Sequence, residues 1–280
     1  MPLPKAVAQF DEISPVYDAT RDPLDDASVR RIADTLRSWE MRRLVEVGVG
    51  TGRIATPLLK EGFQVTGVDA SRGMLARARA KGLSRLVRGS AYRLPFSDMA
   101  VDGALFVHVL HVLEDPFAAL GEACRVAGRG AAALVAPPGS PERRSADPLD
   151  ARRRVVAHLR AEGAAVPGVG PVGGGPQTRE RRLLEAAPPD RLVIISEADV
   201  TEGIDEQLRM FEARASRWAL EVPPEQLARA VAEVRRELGD ARRTYHRVRA
   251  LALWTSPPRV APEVLEGPPS SASIGSAPLE

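Results

Sequence analysis

The stretch Leu44-Val45-Glu46-Val47-Gly48-Val49-Gly50-Thr51-Gly52-Arg53 decides the fold. A short apolar run ends in glycines at alternate positions, and a helical pattern over residues 53–60 follows at once. The reading is strand, tight turn, helix start. Glycines at such a turn allow positive φ and let a ligand approach bare backbone. A dinucleotide-binding turn needs a further glycine three positions after the second, and Arg53 occupies that place. The spacing is Glu-x-Gly-x-Gly-x-Gly instead.

A second β-type run, Gln64-Val65-Thr66-Gly67-Val68-Asp69, ends in an acid 21 residues beyond Gly48. A carboxylate at that point can accept both hydroxyls of a ribose, or it can cap the helix expected over residues 71–80. Ser71 can cap that helix as well, which frees Asp69 for a ligand.

The rest of the chain bounds the architecture. At 280 residues it is long enough for one buried α/β domain with an insertion or cap. The formal net charge is +2 and the basic excess is nearly all arginine, the lysines being Lys5, Lys60 and Lys81. Near-balance gives no electrostatic case for nucleic acid. The single cysteine, Cys124, excludes an internal disulfide and a multi-cysteine metal site, and on an amphipathic helix it is expected buried and inert. Met1-Pro2-Leu3-Pro4-Lys5 lacks the apolar core of a signal peptide, and no segment offers about 18 uninterrupted apolar residues. A cytoplasmic protein without membrane contact is the expectation.

In order, residues 10–26 are turn-rich, residues 27–39 follow the helical period, residues 85–88 form a weak third strand and residues 101–107 a fourth. A helix over residues 116–126 and a fifth strand over 131–136 come next, stopped by Pro137-Pro138. Residues 148–162 suit a charged helix, and residues 163–176 are glycine-rich and expected to be a mobile loop or solvated connector. Residues 191–196 should be a sixth strand, 202–220 and 224–238 helices, and 248–255 a seventh strand. Met210, Phe211 and Trp218 are expected mostly in core, with the option of roofing an active-site mouth. Five parts are therefore expected: an N-terminal lid segment (1–26), a core (27–139), a variable insertion (140–190), a C-terminal part with helical cap and last strands (191–256) and a disordered tail (257–280).

Four ordered segments carry a resemblance: Glu46 to Gly52; Asp69-Ala70-Ser71-Arg72-Gly73-Met74-Leu75; Gly89-Ser90-Ala91-Tyr92-Arg93-Leu94-Pro95-Phe96; and His108-Val109-Leu110-His111-Val112-Leu113-Glu114-Asp115-Pro116. Together they resemble the class I S-adenosylmethionine (SAM) methyltransferases, in the small-molecule branch of ubiquinone and menaquinone type. The resemblance covers residues 10–136, with a weaker echo in the last two strands. It implies an α/β fold, a doubly wound, seven-stranded, mostly parallel Rossmann-like sheet with a helical insertion, whose last strand runs antiparallel beside the fifth.

It also implies SAM as cofactor, which carries no phosphate to clamp, and a binding set of Tyr17, Arg21, Glu46, Gly48, Gly50, Gly52, Asp69, Ala70, Met74, Ser90, Ala91 and Val107. In this set Glu46 helps hold the methionine amino group and Asp69 the ribose. Met74 packs near the adenine or is helix-face core. Tyr17 and Arg21 belong to a lid over the cofactor, or to a surface turn. Ser90 stands where relatives carry an aspartate on the adenine amino group, a shorter partner that can still accept a hydrogen bond.

His108 and His111 follow the fourth strand, at the carboxyl edge where ligands of doubly wound sheets bind. Spacing of three would put both on one helical face, which could suit a metal, but no Asp, Glu or Cys with ligand spacing accompanies them, and no metal is expected. They shape the pocket, or one acts as general base for an acidic acceptor. The implied activity is methyl transfer from SAM to an O, N or C nucleophile of a small molecule. A non-catalytic SAM-binding regulatory protein and an NAD-linked oxidoreductase are the alternatives. The Asn/Asp-Pro-Pro-aromatic motif that clamps a flipped base is missing from the end of the fourth strand, which argues against nucleic-acid acceptors.

Overall fold

The computed structural model describes residues 5–137, 147–166 and 176–258. Residues 167–175 of the expected glycine-rich loop, and the expected tail apart from residues 257 and 258, lie outside the described residues.

Seven strands form one sheet in the order β3-β2-β1-β4-β5-β7-β6. β1 (Arg43–Val47), β2 (Gln64–Asp69), β3 (Leu86–Arg88), β4 (Gly103–Val107) and β5 (Ala131–Val135) pair in parallel, while β7 (Arg242–Trp254) runs antiparallel to both β5 and β6 (Arg191–Gly203). The doubly wound sheet and the antiparallel last strand are as the resemblance implied. β4 and β5 are buried along their whole length, as strands covered on both faces must be.

Period-two alternation sorts the side chains into two layers. Leu44, Leu105, Leu134, Leu251 and Leu253 pack under α2 (Asp26–Ser38) and α3 (Ala55–Lys60). Val45, Val47, Phe106, Ala133 and Trp254 pack under α5 (Pro116–Val126) and α7 (Pro176–Ala186).

The helix starts follow from local chemistry. Asp25 accepts from the Ser28 amide at 2.8 Å to open α2, and Ser71 from the Met74 amide at 3.1 Å to open α4 (Arg72–Ala80). Asp115 accepts from Ala118 at 2.9 Å ahead of Pro116, which sits where its missing N–H costs nothing.

Three regions differ from the sequence expectation. Residues 5–13 form a helix, α1 (Lys5–Ile13), at the start of what reads as a lid segment. β6 and β7 each extend to 13 residues, far beyond the apolar runs that announce them, because their outer halves pair with one another as a ribbon. The stretch 202–220 is strand to Gly203, then α8 (Ile204–Glu212) and α9 (Arg217–Glu221).

With α6 (Ala151–Ala161) and α10 (Pro224–Leu238), α8 and α9 build a third apolar core at the end of that ribbon. Phe211 and Trp218 lie inside it, ring centroids 5.4 Å apart, so they hold the cap together rather than roof a mouth. No described helix is long and apolar enough to cross a membrane.

Candidate active site

Gly48, Gly50 and Gly52 have φ of 71, 56 and 75°, so the turn after β1 is left-handed at each glycine. The amides of Gly48 and Val49 both donate to the Val68 carbonyl, at 2.8 and 3.0 Å, which stitches the turn to β2. A Cβ at Gly48 would lie 2.5 Å from Val109 Cγ2, whereas one at Gly50 would meet nothing nearer than the Gly48 carbonyl at 4.0 Å. Gly48 is therefore required by packing, and Gly50 leaves bare backbone facing open space.

Two carboxylates flank that space. Glu46 is 2% exposed, and its Oε2 has no hydrogen-bond partner. Burial, reinforced by the neighbouring charge of Asp69, pushes its carboxyl up to about 8 against the pull of the Ala55 backbone. Asp69 accepts from the Gly50 amide through Oδ2 at 2.8 Å and from the Ser71 amide through Oδ1 at 2.9 Å. Burial raises its pKa while those amides lower it, and each oxygen keeps an acceptor position. Ser71 caps α4, so the helix does not consume Asp69.

The N-terminal segment closes on the same turn. Thr51 donates to Asp18 at 2.6 Å, and Lys81 meets Asp18 at 2.5 Å. Tyr17 is half-buried with the Arg21 guanidinium 4.5 Å above its ring, and Arg21 donates to the Ala215 carbonyl of the cap at 2.8 Å. Arg53 donates to the Asp22 carbonyl. Asp11 of α1 accepts from the Ser71 hydroxyl at 2.6 Å and the Gly73 amide at 2.8 Å, which anchors α1 at the start of α4.

At the end of β4, His108 adopts φ 55°, uncommon for a residue with a Cβ. Its side chain is exposed to water at the surface, with protein around it on the larger scale. That burial, with the positive charges of Arg249, His111, Arg53 and Arg21, holds it down to about 4. His111 lies in a single 3-10 turn over Leu110–Val112, not on a shared helix with His108. Among the described residues no group of three His, Cys, Asp or Glu side chains is placed to hold a metal.

The sequence-derived set thus divides. Glu46, the glycines, Asp69 and Ala70 converge at the β1 and β2 ends, beside the closed Tyr17–Arg21 segment, and Val107 ends β4 next to β1. Met74 is 2% exposed. Ser90 is exposed and accepts from the Tyr92 amide at 3.2 Å, beside half-buried Ala91. Asp18, Thr51 and Arg53 fall inside stretches that the sequence reading singles out but gain no role there, and Asp11 and Lys81, one of three lysines in an arginine-rich chain, are noted without one. Two open grooves, about 370 and 300 Å³, lie between α6 and α10 against His158, remote from this edge.

The family described as methyltransferase domain matches residues 45–135. Demethylmenaquinone methyltransferase of Renibacterium salmoninarum is 31% identical over 137 residues, 47% of this chain and 58% of that protein. Phosphatidylethanolamine N-methyltransferase of Cereibacter sphaeroides is 32% identical over 127 residues, 43% of this chain and 62% of that protein. The chain spans less than two thirds of the length of either relative. A solved structure from Anabaena variabilis, described as a methyltransferase candidate of an antibiotic biosynthesis pathway, shares the fold at TM-score 0.51 and 17% identity, covering 82% of this chain and 99% of its own. The match over residues 45–135 takes in β1 to β5 and the glycine turn, so this part of the chain is similar to the methyltransferase domain family.

Proposed function

We propose that the protein binds SAM at the β1–β2 edge and transfers its methyl group to a nucleophilic atom of a small molecule. The observation that carries this reading is the unpartnered Oε2 of buried Glu46 beside a left-handed glycine turn with open backbone at Gly50. A buried carboxyl held near neutrality is the complement of a cation, and the methionyl ammonium is one.

Asp69 is suited to the two ribose hydroxyls through the acceptor positions its amide partners leave. Gly48, Gly50 and Gly52 give backbone access; Ala70, Met74, Ser90 and Ala91 border the base; Tyr17 and Arg21 cover the cofactor and Val107 faces the reacting end. When bound, SAM supplies an electrophilic methyl carbon on a sulfonium. The chain's own work is to exclude water with the N-terminal segment and to hold the acceptor in line, where proximity supplies much of the acceleration.

The names of the relatives favour a quinol-like or amine acceptor among small molecules. Release of S-adenosylhomocysteine across a panel of phenols, quinols and amines tests the activity. Turnover with at least one acceptor is expected. Tight SAM binding with no release from any would return the regulatory alternative.

A further inference from the structure

Asp69 is fixed by more than the motif that contains it. Its two carboxylate oxygens accept the Gly50 and Ser71 amides, at 2.8 and 2.9 Å, and its own carbonyl accepts the Gly89 amide at 3.0 Å. Arg88 donates to the next carbonyl, that of Ala70, at 3.1 Å. The turn from β2 into α4 is thus pinned from the end of β3 and from the glycine turn. A further support comes from α1 (Lys5–Ile13), which lies outside the residues that match the methyltransferase domain.

Asp11 Oδ1 accepts from the Ser71 hydroxyl at 2.6 Å and from the Gly73 amide at 2.8 Å. A hydroxyl has one hydrogen, and Ser71 gives it to Asp11 while the same oxygen accepts the Met74 amide at 3.1 Å. Ser71 is 1% exposed, so bulk water cannot stand in for either partner. Packing seats α1 at the same place independently of these bonds: a Cβ on Gly73 would lie 2.5 Å from Ser14 Oγ and 3.0 Å from the Asp11 carbonyl oxygen. Burial raises the Asp69 carboxyl, its backbone amides oppose that, and the charge of Asp11 adds to the rise, so the two acids lie within one another's field.

Resting on the SAM-binding reading, we propose that Asp11 is a positioning residue for the nucleoside half of the cofactor, orienting the Asp69 carboxylate towards the ribose hydroxyls through Ser71. With Asp11 removed, the buried Ser71 hydroxyl loses its acceptor, and the first turn of α4 loses the anchor that sets the Ser71 amide against Asp69. Hydrogen bonds from a diol to one carboxylate are directional and tolerate little rotation of its plane. The methionyl half is held from the other side, by Glu46 and the glycine turn, and does not pass through this chain of bonds.

The test is calorimetric titration of the full chain with S-adenosylhomocysteine, with 5′-methylthioadenosine and with the 2′-deoxy form of that nucleoside. The parent should bind methylthioadenosine at least about tenfold more tightly than the deoxy form, the worth of a hydrogen bond to a charged group. Asp11→Ala should shrink that ratio to about threefold or less, and Asp11→Asn, which keeps an oxygen for Ser71 and Gly73, should retain most of it. Gln9→Ala cuts α1 from the cap, where Gln9 donates to Glu221 at 2.8 Å, and should leave the ratio as in the parent.

A purely structural anchor would weaken both nucleosides alike and leave the ratio untouched in Asp11→Ala, and that result overturns the inference. A ratio lost equally in Asp11→Asn or in Gln9→Ala overturns it too, since the acceptor oxygen would then not be what counts. Should SAM and S-adenosylhomocysteine fail to bind while methylthioadenosine binds with a ratio that depends on Asp11, the methyl-transfer reading falls and the inference stands for a nucleoside site. A chain that binds none of these ligands overturns both.

Discussion

At Glu46 burial works against charge. Its carboxyl, ordinarily near 4.5, titrates at about 8 in the folded chain, so the native state holds a proton that the unfolded chain releases across that window. Stability therefore falls as pH rises from about 4.5 towards 8. Glu46→Gln, isosteric with the protonated acid, should melt higher than the parent at pH 8 and level with it at pH 5. Binding should respond in the opposite sense. A cation favours the ionised carboxylate, so parent affinity for SAM should rise with pH through that range. Glu46→Gln should lose ~10–100-fold at pH 8, the worth of a charge-assisted hydrogen bond, and lose its pH dependence. Calorimetric titration at both pH values measures this. The neighbouring glycines separate packing from access. Gly48→Ala meets Val109 Cγ2 at 2.5 Å on top of a φ of 71° and should cost about 1–3 kcal/mol of stability by denaturant melt. Gly50→Ala has open space and should cost only ~1–2 kcal/mol of left-handed strain while weakening SAM more than Gly48→Ala does.

Among the elements, α1 acts as a bracket between core and cap. On one side Asp11 meets the start of α4; on the other Gln9 bonds to Glu221 of α9 at 2.8 Å, and Arg217 lies 5.9 Å over the Phe10 ring. Asp11 has its pKa lowered by the Ser71, Gly73 and Arg72 bonds against its burial. Asp11→Ala should release α1 and raise amide exchange in residues 5–13, with SAM affinity down a few-fold; unchanged exchange there would deny the bracket. This helix was not legible in the sequence because its anchors are single polar residues whose partners lie 60 and more positions away. The outer halves of β6 and β7 were hidden for a related reason. Residues such as Glu197, Asp199 and His246 show no apolar alternation, since they are paired mainly with each other and face water, His246 lying 2.9 Å from both carboxylates. By contrast β1, the glycine turn, the Ser71 cap and α5 were readable, because the apolar run, the positive φ and the capping geometry are all local requirements.

In the whole molecule the cap has a core of its own, separate from the two layers of the sheet. Phe211→Ala, which empties a 1% exposed site in it, should cost about 3–5 kcal/mol. By hydrogen exchange the loss should appear in α6, α8 and α10 while β1, β4 and β5 stay protected, and uniform loss would mean that cap and sheet unfold as one. The five parallel strands place the glycine turn, and in the proposed function the N-terminal segment and the cap border what enters beyond it. All of it depends on the glycine turn and its two carboxylates holding SAM. Calorimetry of the full chain with SAM and with NAD, on the parent, Asp69→Ala and Gly50→Val, each checked for folding by circular dichroism, tests that most directly. Saturable binding of SAM but not NAD, abolished or weakened at least tenfold in both variants, is the predicted result. A parent that ignores SAM, or variants that bind it as the parent does, would contradict it.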